Sequence, residues 1–424
     1  MPNFLLEGFE PYHNSTALIF KDGQLSYEEL DCAIEAKIKD LNNLATYEII
    51  STEDRLEFTI KALACLRARK LFIPIESPDS LHATRRVKQL KMNLSDDRLK
   101  ALAFCRYALL TSGSSGSPKA VFYDEKTFEF VLARIQHIFK FTAESKELSY
   151  LPLQHSDGFN RVLACLNNGA QVRLAKLINV SGESELVEGL KWCNQCFISW
   201  PILQVMKRLK TIGVFGDNKT IEIGSHCYSN EDLYHLDEVF PKSKIIKHYG
   251  LTECSRAMYI DNKDSNYFVE NCVGKLNDQD VACEVTNEKF IRLTSPHCAN
   301  YILADKTLTE LRGSLLTCDL GEIKDGYLFL KGRGDDFVSS FGAHYHLAEL
   351  EKLLEEGVGN LNFCLKKVVS NGNDHCKLFL ARESWEMESE VRSFLQKLPS
   401  YMKPSISKVE QISRDANGKV IKIT

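Results

Sequence analysis

The sequence predicts an α/β fold: a large N-terminal α/β domain joined by a flexible hinge to a small α+β C-terminal domain. Three observations predict it. Helix-period and strand-period segments alternate through the first part of the chain, as they do in α/β units. The polar run Gly332-Arg333-Gly334-Asp335-Asp336 then punctuates the chain. After it the alternation restarts, which divides the chain into residues 1–334 and 335–424.

Ser26 is a helix cap with Glu29 three residues on, the signature of a capping box. An amphipathic helix follows through Leu30, Ile34, Ile38 and Leu41. Leu71-Phe72-Ile73-Pro74-Ile75 reads as a short buried strand. Tyr107-Ala108-Leu109-Leu110 is a strand that runs into a loop, Thr111 to Lys119. Ala120-Val121-Phe122-Tyr123 is the next strand, so the loop lies between two strands. The α/β alternation continues to about residue 260, and a β-rich stretch comes after it with Phe290-Ile291-Arg292-Leu293 as one strand. Beyond the hinge, Leu347, Leu350, Leu353 and Leu354 share one helical face, with Gly357 as the expected C-terminal cap. Cys376 to Leu380 reads as a strand. Met387, Val391, Phe394, Leu395 and Leu398 line a second helix before Pro399.

Composition excludes several classes. No apolar run approaches the roughly 18 residues of a membrane span. Met1 to His13 has no basic run followed by an apolar one, so it does not read as a secretory signal. The net charge of −4, with both signs interspersed, lacks the basic stripe of a nucleic-acid binder. The fourteen cysteines are scattered without framework spacing and read as reduced thiols in a cytoplasmic protein. Cys193 and Cys196 form a lone Cys-x-x-Cys with no second pair at zinc-site spacing; two small buried hydrophobes are the expectation.

The chemistry begins at Thr111-Ser112-Gly113-Ser114-Ser115-Gly116-Ser117-Pro118-Lys119. Small residues let backbone N–H groups approach an anion, hydroxyls add donors and a lysine adds a point charge. That suits the β- and γ-phosphates of ATP, although the composition alone also fits a surface turn. It is not a Walker loop: Gly-Lys-Ser/Thr is absent, and a strand stands where a helix is required.

This loop resembles the phosphate loop of the adenylate-forming superfamily, which holds acyl-CoA synthetases, aryl-CoA ligases, nonribosomal adenylation domains and luciferases. Further motifs occur in the superfamily's order. Leu151-Pro152-Leu153-Gln154-His155 resembles its Pro-Leu-aromatic-His segment. Ile221-Glu222-Ile223-Gly224-Ser225-His226 resembles the strand and glycine turn edging the adenine pocket. Tyr249-Gly250-Leu251-Thr252-Glu253 matches Tyr-Gly-x-Thr-Glu in full. Thr317-Cys318-Asp319-Leu320-Gly321 resembles the ribose motif, and Gly332 to Asp336 matches the hinge motif. Gly342 with Glu349-Leu350-Glu351 matches the superfamily's segment beyond the hinge. Pro399 to Pro404 and Asn417-Gly418-Lys419 resemble the closing motif. The resemblance spans nearly the whole chain and implies the superfamily's large multi-sheet domain with a small mobile one.

It also implies roles. Tyr249 would stack on adenine, with Gly224, Ser225, His226, His248 and Gly250 around the nucleotide. Asp319 would accept from the ribose hydroxyls, since a carboxylate takes two hydrogen bonds at once, and Arg333 would add a donor. Thr252 would contact the α-phosphate, and Glu253 would hold Mg²⁺, a hard cation that prefers oxygen ligands. Lys119 and its loop would hold the departing pyrophosphate. Lys419 would neutralise charge as the carboxylate attacks the α-phosphorus. Asp335 would be the hinge, and the loop around Gly342 would line the tunnel for a pantetheine thiol. His155, Ser156, Gly224 and Gly250 would form the acid pocket.

Some positions depart from the superfamily's pattern. Ala120 and Cys318 replace usual glycines, Ser339 stands where lysine is common, and Tyr345 replaces an aliphatic residue. The region before Thr111 is shorter than usual. Ser156 stands where amino-acid-activating members place an Asp, which argues for an acid without an α-amino group; Asp157 is one residue away. The resulting expectation is an enzyme that activates a small aryl or acyl carboxylic acid with ATP. It would pass the acyl group to coenzyme A or to the phosphopantetheine of an acyl carrier protein. An amino-acid-adenylating enzyme and a nucleotide-binding module without turnover are the alternatives.

Overall fold

The structure is a computed structural model. It describes residues 3–41, 47–52, 54–75, 102–112, 118–175, 183–209, 215–216, 218–224, 228–276, 278, 280–304, 307–334, 337–340, 343–370, 373–398, 402–414 and 420–424. The chain groups into two compact units. The first is Met1–Cys283 with Leu293–Leu315; the second is Glu284–Arg292 with Leu316–Thr424.

The first unit opens with helix α1 (Phe4–Glu7) and the hairpin of β1 (Thr16–Phe20) and β2 (Gly23–Ser26). Helix α2 (Tyr27–Asp40) starts as the sequence predicts. The Ser26 hydroxyl accepts from the Glu29 N–H, and the Glu29 carboxylate accepts from the Ser26 N–H. Leu30 and Ile34 are buried, and Leu41 caps the end. Next come β3 (Tyr47–Ser51), α3 (Arg55–Arg67) and β4 (Leu71–Ile75). Strands β5 (Cys105–Ser112) and β6 (Pro118–Asp124) then flank the Ser/Gly loop and pair antiparallel, Thr111 opposite Lys119.

The alternation from α4 (Glu125–Phe139) onward builds the larger sheet. It runs through β7 (Lys146–Ser149), α5 (Ser156–Asn167), β8 (Gln171–Leu174), α6 (Glu183–Trp192) and β9 (Gln195–Phe197). It continues with α7 (Trp200–Arg208), β10 (Thr220–Ile223), α8 (Asn230–Val239), β11 (Lys244–Leu251) and β12 (Cys254–Asp261). The eight strands lie in the order β12-β11-β10-β9-β7-β8-β1-β2. A second sheet of six strands has the order 307–310, 301–304, β6, β5, β4, β3.

Strands β8, β7, β9, β10 and β11 run parallel to one another, and β12 lies antiparallel to β11 at the sheet's edge. From β7 the chain crosses to β8 on one side, then to β9 on the other. Strand β7 is therefore a topological switch point, where loops at adjacent carboxyl ends diverge and leave a crevice. Parallel strands with helices on their faces bury both sides. Glu147, Ser149, Gln195 and Glu222 are thus polar residues placed inside the molecule.

Strand Ser314–Lys324, which lies in the second unit from Leu316 on, forms an antiparallel hairpin with Tyr327–Arg333. Phe337–Ser340 pairs with Ala343–His346. The strands Phe363–Ser370, Asn373–Ala381 and Ser405–Val409 make a small sheet, antiparallel then parallel. Helices Leu347–Val358 and Glu388–Gln396 give it Leu350, Leu354, Val391 and Leu395 as core. The expected cap at Gly357 is corrected. Gly357 lies inside its helix, where a Cβ would stand 2.0 Å from the Phe394 ring. The left-handed residue that ends the helix is Gly359, φ +87°, whose N–H donates to the Glu355 carbonyl. Helix packing, not chain reversal, needs the first glycine.

Among the described residues no helix is long and apolar enough to cross a membrane. Cys193 and Cys196 are both buried. Of the described cysteines, Cys32 and Cys318 are exposed. Burial pushes the thiols of Cys65 and Cys105 up to about 12. Since the thiolate is the nucleophile, an aromatic disulfide reagent at pH 8 will label Cys32 and Cys318 rapidly in the native protein. Cys65 and Cys105 will react only after unfolding, and peptide mapping of the labelled sites checks this.

Candidate active site

Several predicted site residues come together at the carboxyl ends of the parallel strands. Strand β7 ends at Ser149, and the segment after it leads to His155, the N-cap of α5. Ser156 opens that helix and is buried. Strand β10 ends at Ile223, directly before Gly224. Strand β11 carries His248, Tyr249 and Gly250, and Thr252 and Glu253 turn the chain into β12.

Arg55 holds the first of these segments. It lies at the start of α3, where Asp54 caps the helix by accepting from Leu56 and Glu57 N–H. Its guanidinium donates to the Ser149 carbonyl (3.1 Å), the Ser149 hydroxyl (2.8 Å) and the Leu151 carbonyl (2.7 Å). Burial pushes Arg55 down to about 10, which leaves it charged at neutral pH. On the other side Gly158 packs so closely that a Cβ would stand 2.5 Å from the Pro152 carbonyl oxygen. The backbone between β7 and His155 is thus gripped from two helices.

The electrostatic centre of the site is Glu222, which the sequence presents only as part of a strand. It is fully buried. Arg256 donates through Nε at 2.6 Å and Nη2 at 3.3 Å. Arg161 donates through Nη1, and His248 Nδ1 lies 2.8 Å away. Arg161 also makes a two-pronged pair with Glu147, at 2.7 and 2.8 Å. Burial alone would raise the Glu222 pKa, but Arg256, Arg161 and His248 outweigh it and hold the carboxyl well below the usual range. Glu147 behaves oppositely: burial pushes it up, and Arg161 offsets only part. At the edge of this cluster Asp157 Oδ1 lies 3.7 Å from His248 Nε2 and 3.8 Å from Arg256 Nη1.

The two glycines of the motifs are required by close approach. A Cβ on Gly224 would stand 2.2 Å from the His248 ring. A Cβ on Gly250 would stand 2.4 Å from the Arg256 amide nitrogen and 2.8 Å from the Cys254 carbonyl oxygen. The β11–β12 register shifts between Tyr249 and Leu251, so the turn is bulged. Further anchors fix its far end. The Tyr123 hydroxyl donates to the Thr252 carbonyl, and the Ala299 N–H donates to the Glu253 carbonyl at 2.8 Å. Tyr249 is buried, while Thr252 and Glu253 are half-buried. The Thr252 hydroxyl and the Glu253 carboxylate, both half-buried, give the turn oxygen donors of the kind a hard divalent cation accepts.

In the second unit, Asp319 and Arg333 are partners across the hairpin, with Arg333 Nη1 3.9 Å from Asp319 Oδ1. The Thr317 hydroxyl accepts from the Asp319 N–H at 3.1 Å and so sets the backbone there. Of the remaining predicted residues, Thr111 and Lys119 face each other across β5 and β6, and Ser112 ends β5. Gly113, Ser114, Ser115, Gly116, Ser225, His226, Asp335, Gly342 and Lys419 lie outside the described residues. Sequence reasoning missed Glu222, Arg161, Glu147, Arg256 and Arg55. A signal was present for Glu222, a lone charge in the apolar strand Thr220-Ile221-Glu222-Ile223; Arg55 and Glu147 stand among other charged residues and gave none.

Residues 101–296 match the family described as AMP-binding enzyme. A 2-succinylbenzoate–CoA ligase of Listeria monocytogenes is 22% identical over 465 residues, 99% of this chain and 98% of the relative. A D-alanine–D-alanyl carrier protein ligase of Bacillus licheniformis is 23% identical over 74% of this chain and 69% of its own length. The solved o-succinylbenzoate coenzyme A synthetase of Bacillus subtilis shares the fold. In complex with AMP it matches with a TM-score of 0.79, at 17% identity, covering 99% of this chain and 97% of that one. In complex with ATP and magnesium ion the TM-score is 0.75, also at 17% identity, covering 99% and 98%.

One group behind the turn carries a pH signature. His297 is buried, with Nδ1 2.6 Å from the Ser295 hydroxyl and Nε2 3.5 Å from the Cys254 sulfur. Burial, aided by Arg134, pushes its pKa down from 6.5 to about 3. The unfolded imidazole takes up a proton near 6.5 and the folded one does not until about 3, so stability falls as pH drops through that window. The slope reaches roughly 1.4 kcal/mol per pH unit. Urea unfolding of His297→Asn will show a flatter stability profile between pH 6 and pH 4 than the unaltered protein.

Proposed function

We propose that this chain, whose residues 101–296 match the AMP-binding enzyme family, is an adenylate-forming enzyme that joins a small carboxylic acid to a phosphopantetheine thiol in two steps. In the first, the acid's carboxylate attacks the α-phosphorus of ATP, giving acyl-AMP and pyrophosphate. In the second, the thiol attacks the acyl carbon and AMP leaves. The acceptor is coenzyme A or an acyl carrier protein. The observation that carries this reading is the position of Tyr249-Gly250-Leu251-Thr252-Glu253: a bulged turn at the carboxyl end of β11, beside the other strand ends.

The residues then take these roles. Tyr249 stacks on adenine beside Gly224 and Gly250. Thr252 contacts the α-phosphate, and Lys119 with the loop before it holds the pyrophosphate end. Glu253 would hold Mg²⁺, which when bound neutralises phosphate charge. Asp319 accepts from the ribose hydroxyls, and Arg333 lies beside it. Lys419 stabilises the charge that develops during attack. His155, at the N-cap of α5, orders the acid's carboxylate together with Ser156. Asp157 already faces Arg256 and His248, which favours an acid without an α-amino group over an amino acid.

Pyrophosphate release measured over aryl, fatty and amino acids, without and with coenzyme A, tests the reaction class. Acid-dependent release is expected; none with any acid argues for a binding module. Lys419→Ala should lower acyl-AMP formation about 10²–10³-fold while sparing thiol transfer from supplied acyl-AMP. Near-normal pyrophosphate release by that variant would exclude the assigned role.

The second step needs a different arrangement from the first, and we assign the hinge to Asp335. The residue before it, Gly334, is closely packed: a Cβ there would stand 2.4 Å from the Phe290 ring. A rotation at 335 has to be absorbed by the φ and ψ of one or two residues. Proline locks φ near −65° and restricts the residue before it. Asp335→Pro should therefore preserve single-turnover pyrophosphate release and lower thioester formation by orders of magnitude. Loss of both activities together would mean that the substitution damages the fold instead.

A further inference from the structure

We propose that Arg256 is a positioning residue for nucleotide binding: it fixes the Tyr249–Glu253 turn against the sheet. This rests on the reading that the turn holds Mg·ATP.

Arg256 lies three residues past Glu253, inside β12, yet its φ is +53°, in the left-handed region. L-residues other than glycine rarely adopt that conformation, and they do so at sites where the surroundings over-determine it. Glycine would adopt it without strain, so the side chain is the reason for an arginine here. The strand's alternation is broken at this point: Ser255, Arg256 and Ala257 are buried in succession. The guanidinium is completely buried and reaches Glu222 on β10, two strands away, and the Asp157 carbonyl at 3.1 Å.

The same residue is gripped through its backbone. Arg134 of α4 donates from Nε to the Arg256 carbonyl at 3.1 Å and from Nη2 to the Ala257 carbonyl at 3.0 Å. Arg134 is itself fixed by Asp278, at 2.7 Å from Nη1. The Arg256 amide, in turn, is the atom that Gly250 packs upon. A displacement of Arg256 is therefore passed to Gly250, next to Tyr249 and two residues from Thr252. Glu222 sets Arg256, and Arg256 sets the turn.

The test is the dissociation constant for Mg·ATP by calorimetry, read alongside thermal unfolding. Arg256→Lys keeps a positive charge opposite Glu222 but loses the fork. The double variant Arg256→Met/Glu222→Gln removes both charges and leaves Arg161 paired with Glu147. We expect cooperative unfolding in both, with Mg·ATP binding weakened about threefold in the first and tenfold or more in the second. Ile34→Ala, a core change in α2, should lower the melting temperature without moving the constant. Binding within twofold of the unaltered protein in folded variants overturns the proposal. So does an equal loss in Ile34→Ala, which would reduce the effect to general stability. If the double variant does not fold, Arg256→Lys alone decides by the same criterion. Failure of the unaltered protein to bind Mg·ATP would instead overturn the functional reading beneath it.

Discussion

A buried carboxylate must be neutralised from nearby, and much of the site depends on how Glu222 is neutralised. Its partners come from three other elements: Arg161 from α5, His248 from β11 and Arg256 from β12. Arg161 carries the chain of charge on to Glu147 in β7. Removing one member of such a set leaves an uncompensated charge, at a cost of about 3–5 kcal/mol. The cluster acts more through registration than through net stability, because well-packed apolar residues can match the energy of a buried ion pair. These pairs tie β7, β10, β11, β12 and α5 into one register.

The parallel sheet brings loops together at one edge, and those loops would be mobile without further ties. The ties observed are mostly to backbone carbonyls. Arg55 holds Ser149 and Leu151, Tyr123 holds Thr252, and Arg134 holds residues 256 and 257. A carbonyl acceptor places the chain without dictating its side chains. The ties to Thr252 and Glu253 thus fix their backbone without engaging their side chains. A guanidinium suits this work, since its planar fork can donate to two or three acceptors at once.

The motif residues and most elements were legible in the sequence, and the reasons are local. The Ser26–Glu29 capping box, the strands on either side of the Ser/Gly loop and the apolar face of 347–354 rest on neighbours within a few positions. The charged cluster was not legible, because its members lie up to 109 positions apart along the chain, from Glu147 to Arg256. A lone glutamate in an apolar strand announces a partner but does not name it. Gly357 shows the complementary failure. A glycine near a helix end reads as a cap, and the contact that needs it comes from Phe394, on another helix.

Motif glycines are commonly read as making room for a ligand, but here the protein itself makes the same demand. The Cβ of any residue at 224 would meet the His248 ring, and that ring lies against Glu222. The Cβ of any residue at 250 would meet the Arg256 amide, whose side chain also ends on Glu222. Both glycines thus face the same charge cluster through different partners. An alanine at either position would have to displace a group already fixed by a buried ion pair. The smallness of these two residues and the charge on Glu222 are one constraint, met on three adjacent strands.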